Sequence, residues 1–363
     1  MFKQAVSVTN AGITNEVLIL GLWNEGLSKE EHSHYKCFLK RIHVTTRNLP
    51  NNIIFSSIKY FEWCIKVIIV LWINKIQFIH VHSLKSLPVA VLAKLFLDSK
   101  LVYDAHELET EANGLKGKLK VICRVFEKFL IKFTDEVLTV SDLIAEHYRT
   151  QYPGISPIVI RNIPQLELQS SSKSNLRTIL DIPKNDILLL YLGGLVTGRG
   201  IERALSCFSK KLDKFHVAFI GSGTLEKKIK SISILENQIH HYGPVAPDEV
   251  VSYAKAADIG LCLIEDLCLS YRLSLPNKLF EYLLAGIPVI INDLPEQRKF
   301  VEKYNCGWVL SDSENDLDNF LKELSLKDIV EKKRGAEKVS TDLNWEREIE
   351  PYLKICKLYN FIH

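Results

Sequence analysis

Short apolar runs alternate with longer amphipathic stretches along the whole chain, and that rhythm predicts parallel sheets covered by helices on both faces. In the first half, strands are expected at Glu16–Gly21, Phe78–His82, Leu101–Asp104, Glu136–Val140 and Ile158–Ile160. In the second half they are expected at Ile187–Leu192, His216–Ile220, Ile259–Leu263, Val289–Ile291 and Trp308–Leu310. The polar run Gln169–Ser174 is the one break of linker character, so a boundary is expected between about Ile163 and Asn175. The chain thus divides into residues 1–165, residues 175–342 and a C-terminal helix, 343–363, that packs back toward the first unit. The expected class is α/β: two Rossmann-like, doubly wound domains facing a cleft. The opening is unusual, because Met1–Ala11 reads as a helix, whereas such a domain begins with a strand and a glycine-rich loop.

Two other helices stand out. Tyr60–Ile76 is the most apolar, but its longest uncharged run, between Lys66 and Lys75, is far short of a bilayer span, and a buried helix is expected. Leu115–Phe133 carries Lys116, Lys120, Arg124, Lys128 and Lys132 every four residues, with Leu119, Ile122, Phe126, Phe129 and Phe133 at helical spacing on another face. It reads either as a membrane-facing basic patch or as a core helix whose lysines are solvated.

Composition narrows the function classes. The chain has 363 residues, 47% hydrophobic and 25% charged, with a net charge of +3. That charge is too small to imply nucleic acid. It is unevenly spread: residues 1–165 carry 20 Lys+Arg against 15 Asp+Glu, and the remainder 26 against 28. Eight scattered cysteines show no metal-binding spacing and read as reduced thiols of a cytosolic protein. Met1–Gln4 opens no apolar signal core.

The most informative stretch is Ser274–Ile290, which reads as loop, helix, tight stop and buried strand. Pro276 suits a helix start, Gly286 its end, and Pro288 prevents continuation. Asn277 and Lys278 then lie in the first turn, beside free N–H groups and the positive dipole end, where a phosphate binds well. Glu281, one turn further on, is placed to accept from two ribose hydroxyls. The plainer reading is an ordinary surface helix. Two glycine turns follow strands: Gly193–Gly194 leading to Arg199 and Gly200, and Gly221–Ser222–Gly223. Such turns let backbone approach a phosphate closely. His106 follows a strand at its carboxyl end, where open α/β sheets bind ligands. Of His80 and His82, at least one is expected in the core and neither as a metal ligand.

Pro276, Lys278, Glu281, Tyr282, Gly286, Pro288 and Val289 together resemble the donor-site signature of glycosyltransferase family 4 and its GT-B relatives. The resemblance runs, more weakly, from Met1 to about Tyr359. It implies the GT-B fold and transfer of a hexose from a nucleotide diphosphate sugar, a co-substrate rather than a cofactor, with retention of configuration and no obligate metal. It implies donor contacts at Gly193, Gly194, Arg199, Gly221, Gly223, Gly243, Asn277, Lys278 and Glu281, and catalytic roles for His106, Arg199 and Lys278. His241–Val245 is similar to the loop whose backbone reads the base. Lys116, Lys120, Arg124 and Lys128 would form the membrane or acceptor patch. The implied setting is bacterial surface polysaccharide synthesis (O-antigen or capsule, including lipopolysaccharide), with a lipid-linked oligosaccharide acceptor, at the cytoplasmic face of the inner membrane. Three departures stand out. Gly194 replaces a usual Arg, Leu273 replaces the first of two usual Glu residues, and the first strand with its loop is expected to be missing ahead of Met1–Ala11. Two other readings stay open: an epimerase of the same fold, and a non-catalytic nucleotide-sugar-binding subunit.

Overall fold

A computed structural model describes residues 2–33, 35–165, 174–210, 212–311, 313 and 316–359. Most of the polar run Gln169–Ser174, and with it the expected boundary, lies outside the described residues.

The N-terminal half opens with α1 (Phe2–Asn10), then β1 (Val17–Leu22), β2 (Glu30–Ser33) and β3 (Cys37–Ile42). It continues with α2 (Ile53–Ile73), β4 (Phe78–Val81), α3 (Leu87–Leu97), β5 (Lys100–Ala105), α4 (Gly117–Leu130), β6 (Glu136–Thr139), α5 (Asp142–Gln151) and β7 (Ile158–Val159). Its strands fall into two separate sheets, β1-β3-β2 and β4-β5-β6-β7. The second is parallel throughout; in the first, β1 runs parallel to β3 and β2 antiparallel to it. The β2–β3 hairpin was not expected from the sequence, because Glu30-Glu31-His32-Ser33 has no apolar alternation and lies exposed on the sheet edge.

The C-terminal half is one six-stranded parallel sheet in the order β10-β9-β8-β11-β12-β13. Its strands are β8 (Ile187–Leu192), β9 (Phe215–Ile220), β10 (Ile239–Gly243), β11 (Ile259–Cys262), β12 (Val289–Asn292) and β13 (Gly307–Leu310). Strand β10 occupies part of the segment read as a base-contacting loop. Alternation builds the two faces. Leu188, Leu190 and Leu192 pack with Leu279, Phe280 and Leu283 on one side, while Leu189 and Tyr191 pack with Ile201 and Phe208 on the other.

The halves are joined in several places. Trp345, Tyr352, Ile355 and Cys356 pack with Val8, Val102 and Leu138, and the Trp345 indole donates to Ser7 at 2.8 Å. At the start of α5, the Asp142 and Leu143 amides donate to the Glu296 carboxylate at 3.2 and 3.3 Å, and Ser141 donates to the Leu273 carbonyl at 2.7 Å.

One helix corrects the sequence reading. Helix α2, expected to be buried, hides only Cys64, Val67 and Leu71; Phe61, Ile69, Trp72 and Ile73 are exposed. No described helix is long and apolar enough to cross a membrane. All eight cysteines are free, six of them buried.

Candidate functional site

The turns after β8 and β9 interlock. The Gly193 amide donates to Ile220 at 3.0 Å and the Leu195 amide to Ser222 at 2.9 Å. A Cβ at Gly221 would overlap the Gly193 carbonyl, and one at Gly223 the Leu195 carbonyl. Those two glycines are therefore required by backbone packing alone. Gly193, Gly194 and Gly243 differ: nothing lies within 4 Å of where their Cβ would stand, so their backbone borders open space.

The helix Asn277–Leu284 starts beside these turns, with Pro276 as its N-cap residue rather than inside the first turn. Burial of Leu279, Phe280, Leu283 and Leu284 fixes its face, and the Tyr282 hydroxyl accepts from the Leu192 amide at 2.8 Å. That register sends Lys278 inward. Its ammonium is buried, stands 3.7 Å from the centre of the Tyr191 ring, and has no hydrogen-bond partner. Burial lowers its pKa to about 8; the Cys262 thiol and Glu281 work against that, and Arg199 adds to it. The Arg199 guanidinium stacks 4.3 Å over the Tyr271 ring. Burial raises Glu281 to about 7, opposed by Lys278 and Lys3. Asn277 accepts from the Asn162 side chain of the other half at 2.7 Å. An unpaired buried cation beside a second cation, next to open glycine backbone, is an arrangement that a polyanion completes.

Across the cleft, His106 belongs to a cluster built on buried Asp104. One Asp104 oxygen accepts from Gln4 at 2.7 Å and bonds His80 at 3.2 Å, with His82 and His106 each at 3.4 Å. His82 and His106 share a contact of 2.9 Å, and His80 meets the Tyr352 hydroxyl at 2.6 Å. Burial opposes ionisation of Asp104, but hydrogen bonds from His80 and His82 outweigh it and hold the carboxyl well below its usual range. Burial lowers His82 to about 4 and also lowers His106, which favours the neutral imidazole in both. His80, His82 and Asp104 are close enough to hold a metal, but these same atoms bond one another. Lys3 links the two sides, since its charge acts on both His106 and Glu281. It donates to the Ile163 carbonyl at 2.6 Å and sits 4.0 Å over Trp345, with burial lowering its pKa to about 7. Roles for Lys3, Gln4 and Asp104 were not legible in the sequence, because only folding brings α1 against β5. Leu273, where a Glu is usual, packs against the apolar core of the N-terminal half.

The basic helix is not a core helix with solvated lysines, and two of its four patch cations are paired. Lys120 and Arg124 turn to Glu111, at 2.7 and 2.6 Å, and Glu127 is buried under the hydroxyls of Tyr103, Thr110, Tyr148 and Tyr152. The apolar positions face outward: Leu119, Ile122, Val125, Phe126 and Phe129 are all exposed. Lys116 and Lys128 are exposed beside them. With Leu95 and Phe96 of α3, 62% and 74% exposed, and the outer face of α2, they form a broad apolar surface, since α2 packs on α3 and α3 on α4.

Two family models match the chain: "Glycosyltransferase Family 4" over residues 15–165 and "Glycosyl transferases group 1" over 172–336. No curated protein sequence matches it. Among solved structures, sucrose-phosphate synthase from Thermosynechococcus elongatus superposes with a TM-score of 0.78 at 16% identity, covering 99% of this chain and 92% of that one. Anabaena HepE in complex with UDP and glucose gives 0.72 at 14% identity, covering 96% and 100%. WaaG, a glycosyltransferase involved in lipopolysaccharide biosynthesis, gives 0.66 at 15%, covering 98% and 94%. At these identities the superpositions speak for the fold alone, and that fold is GT-B.

Proposed function

We propose that this chain, which belongs to the glycosyltransferases of the family 4 type, moves a hexose from a nucleoside diphosphate sugar held at the start of the Asn277–Leu284 helix to a carbohydrate hydroxyl in the cleft. The observation that carries this reading is Lys278: a buried ammonium with no protein partner. The diphosphate would lie between Lys278, Arg199 and the open backbone of Gly193 and Gly194, with Glu281 accepting from the ribose. As the glycosidic bond breaks, negative charge grows on the leaving diphosphate, and two fixed cations stabilise it without reorganisation. His106, neutral and oriented through Asp104 and His82, faces the transferred sugar. Transfer with retention and without a resident cofactor follows the family resemblance.

The acceptor we favour is a lipid-linked carbohydrate at the inner face of a bacterial membrane, in surface polysaccharide synthesis. Support comes from the apolar surface of α2, α3 and α4. Exposed Val125, Phe126 and Phe129, with Lys116 and Lys128 at their flanks, match the chemistry of a membrane interface.

The test is a thermal-shift panel of nucleoside diphosphates and their sugars on the purified chain, since a ligand of the native state raises apparent stability. A diphosphate should stabilise the parent and shift Lys278→Met markedly less at the same concentration. Release of the nucleotide only when acceptor is added would mark transfer, and sugar interconversion without acceptor would mark an epimerase. A panel in which no diphosphate shifts the parent would overturn the donor site.

A further inference from the structure

The two cations of the donor site rest on aromatic rings rather than on carboxylates. Lys278 stands 3.7 Å from the centre of the Tyr191 ring, and Arg199 stands 4.3 Å from that of Tyr271. Among the described residues, the Arg199 guanidinium forms no ion pair and no hydrogen bond. The distinction is chemical. A carboxylate that fixed Arg199 would neutralise its charge and occupy its N–H groups. The face of a ring attracts a flat guanidinium through its quadrupole, keeps the charge in place, and leaves the N–H groups free in the guanidinium plane for phosphate oxygens.

Both partners of this contact are fixed by the fold. Arg199 lies between Gly198 and Gly200, and each glycine is pressed on the segment that follows β11. A Cβ at Gly198 would overlap Leu267 and stand 3.7 Å from the Tyr271 ring, and one at Gly200 would overlap Leu263. The Gly198 carbonyl accepts from the Glu265 amide at 3.2 Å. The Arg199 backbone is thereby held against the short helix Leu269–Arg272, which carries Tyr271. That helix is anchored in turn. Leu269 and Leu273 pack against the core of the N-terminal half, and Ser141 donates to the Leu273 carbonyl at 2.7 Å. Ser274 donates to the Tyr271 carbonyl at 3.0 Å, and the partly buried Tyr271 ring packs on the core of the C-terminal half.

We propose that Tyr271 is a positioning residue for donor cleavage: its ring face aims the Arg199 guanidinium at the leaving diphosphate without neutralising its charge or occupying its donors. The inference rests on the donor-site reading above and adds a residue to it. Tyr271 touches no reacting atom and acts through Arg199. As negative charge grows on the diphosphate, the guanidinium has no carboxylate to leave and no disorder to lose, so its full charge meets the transition state. The electron density of the ring face is what matters, and the phenolic hydroxyl has no part in it.

The test separates the charge distribution of the ring from its shape. In the full chain, Tyr271 is replaced by Phe or by trifluorophenylalanine, whose fluorines drain the ring face and leave its outline nearly unchanged. UDP, GDP, ADP, CDP and dTDP are the binding probes, read by thermal shift. Turnover is read as hydrolysis of their hexose esters by water, which needs no acceptor. Tyr271→Phe should hold kcat within ~2-fold of the parent, and trifluorophenylalanine should lower it a further ~2- to 30-fold, the range of a cation–π contact, with donor KM changing less. The same two replacements are made in Arg199→Ala, and the Tm of the ligand-free proteins is compared. The two rings should differ by about a degree more with the arginine present than without it. Equal turnover of the two ring variants, or a Tm difference that is the same without Arg199, would overturn the platform and leave the donor site standing. A parent that no diphosphate shifts and that cleaves none of the esters would overturn the donor site and the platform with it.

Discussion

Lys278→Met should change stability and ligand binding in opposite directions. Burial lowers the lysine from 10.5 to about 8. At ~1.4 kcal/mol per unit, holding the charged form in place costs the folded protein about 3 kcal/mol. The pH dependence follows from the sign of the shift. The unfolded chain keeps this proton up to about pH 10.5, while the folded one releases it near pH 8. Between those values the unfolded state binds more protons, so stability rises with pH across that window and the cost is fully present below it. Methionine has a similar length and no charge, and it removes the cost; the ligand-free variant should gain up to ~3 kcal/mol, as replacement of buried charges often does. Donor binding should move the other way. Loss of a charge-assisted contact to a diphosphate is worth ~1.5–3 kcal/mol, or roughly 10- to 150-fold in Kd. The assays are thermal unfolding of the two ligand-free proteins from pH 7 to 10 and calorimetric titration with a nucleoside diphosphate. The variant should unfold at a higher temperature at pH 7, and the parent should approach it as pH rises. A variant that is less stable without ligand, yet binds diphosphate as well as the parent, would refute the argument.

Three further outcomes are expected. Glu281→Ala should weaken donor affinity roughly 10- to 150-fold. Because burial raises Glu281 to about 7, the affinity of the parent should increase as pH rises through 7 and decline above about 8 as Lys278 loses its proton; Glu281→Gln should lose only the lower limb. Arg199→Ala should act chiefly on kcat, with donor KM changing less, since diphosphate charge grows in the transition state; equal effects on binding and turnover would argue against that role. Val125→Asp with Phe126→Asp should reduce flotation with anionic liposomes at all salt concentrations, whereas Lys116→Gln with Lys128→Gln should reduce it mainly at low salt, each lysine contributing ~1 kcal/mol. Unchanged flotation in both would remove the membrane surface.

Ten of the strands were legible because each reads as an apolar run between turn residues, and all ten are present within a residue or two; β3 and β10, also parallel, were missed. Strand β2 was not legible, because an exposed edge strand needs no apolar alternation. At the site, helix punctuation by Pro276 and Gly286 located Lys278 and Glu281. It could not show that Lys278 is unpartnered, which depends on Tyr191 arriving from another strand. The glycines at 221 and 223 were read as donor contacts, but each answers first to a carbonyl of the neighbouring turn. For α4, periodicity found two faces and not their direction. Which one points inward is set by Glu111, Tyr103, Tyr148 and Tyr152, three of them more than ten residues away from the helix, and these favour its polar side.

The interlocked turns and the buried lysine would drift differently if the chemistry were ever released from selection. Ala in place of Gly221 or Gly223 meets backbone oxygen, which no rotamer change relieves. A descendant that had lost activity would therefore keep both glycines to remain folded, and their presence in a sequence is a poor marker of a working enzyme. Lys278 is the reverse case. It is a standing handicap to the folded state, and many single-base changes would relieve it, so a lineage without need of the charge would shed it early. Among the residues of this site it is the most sensitive witness to continued use.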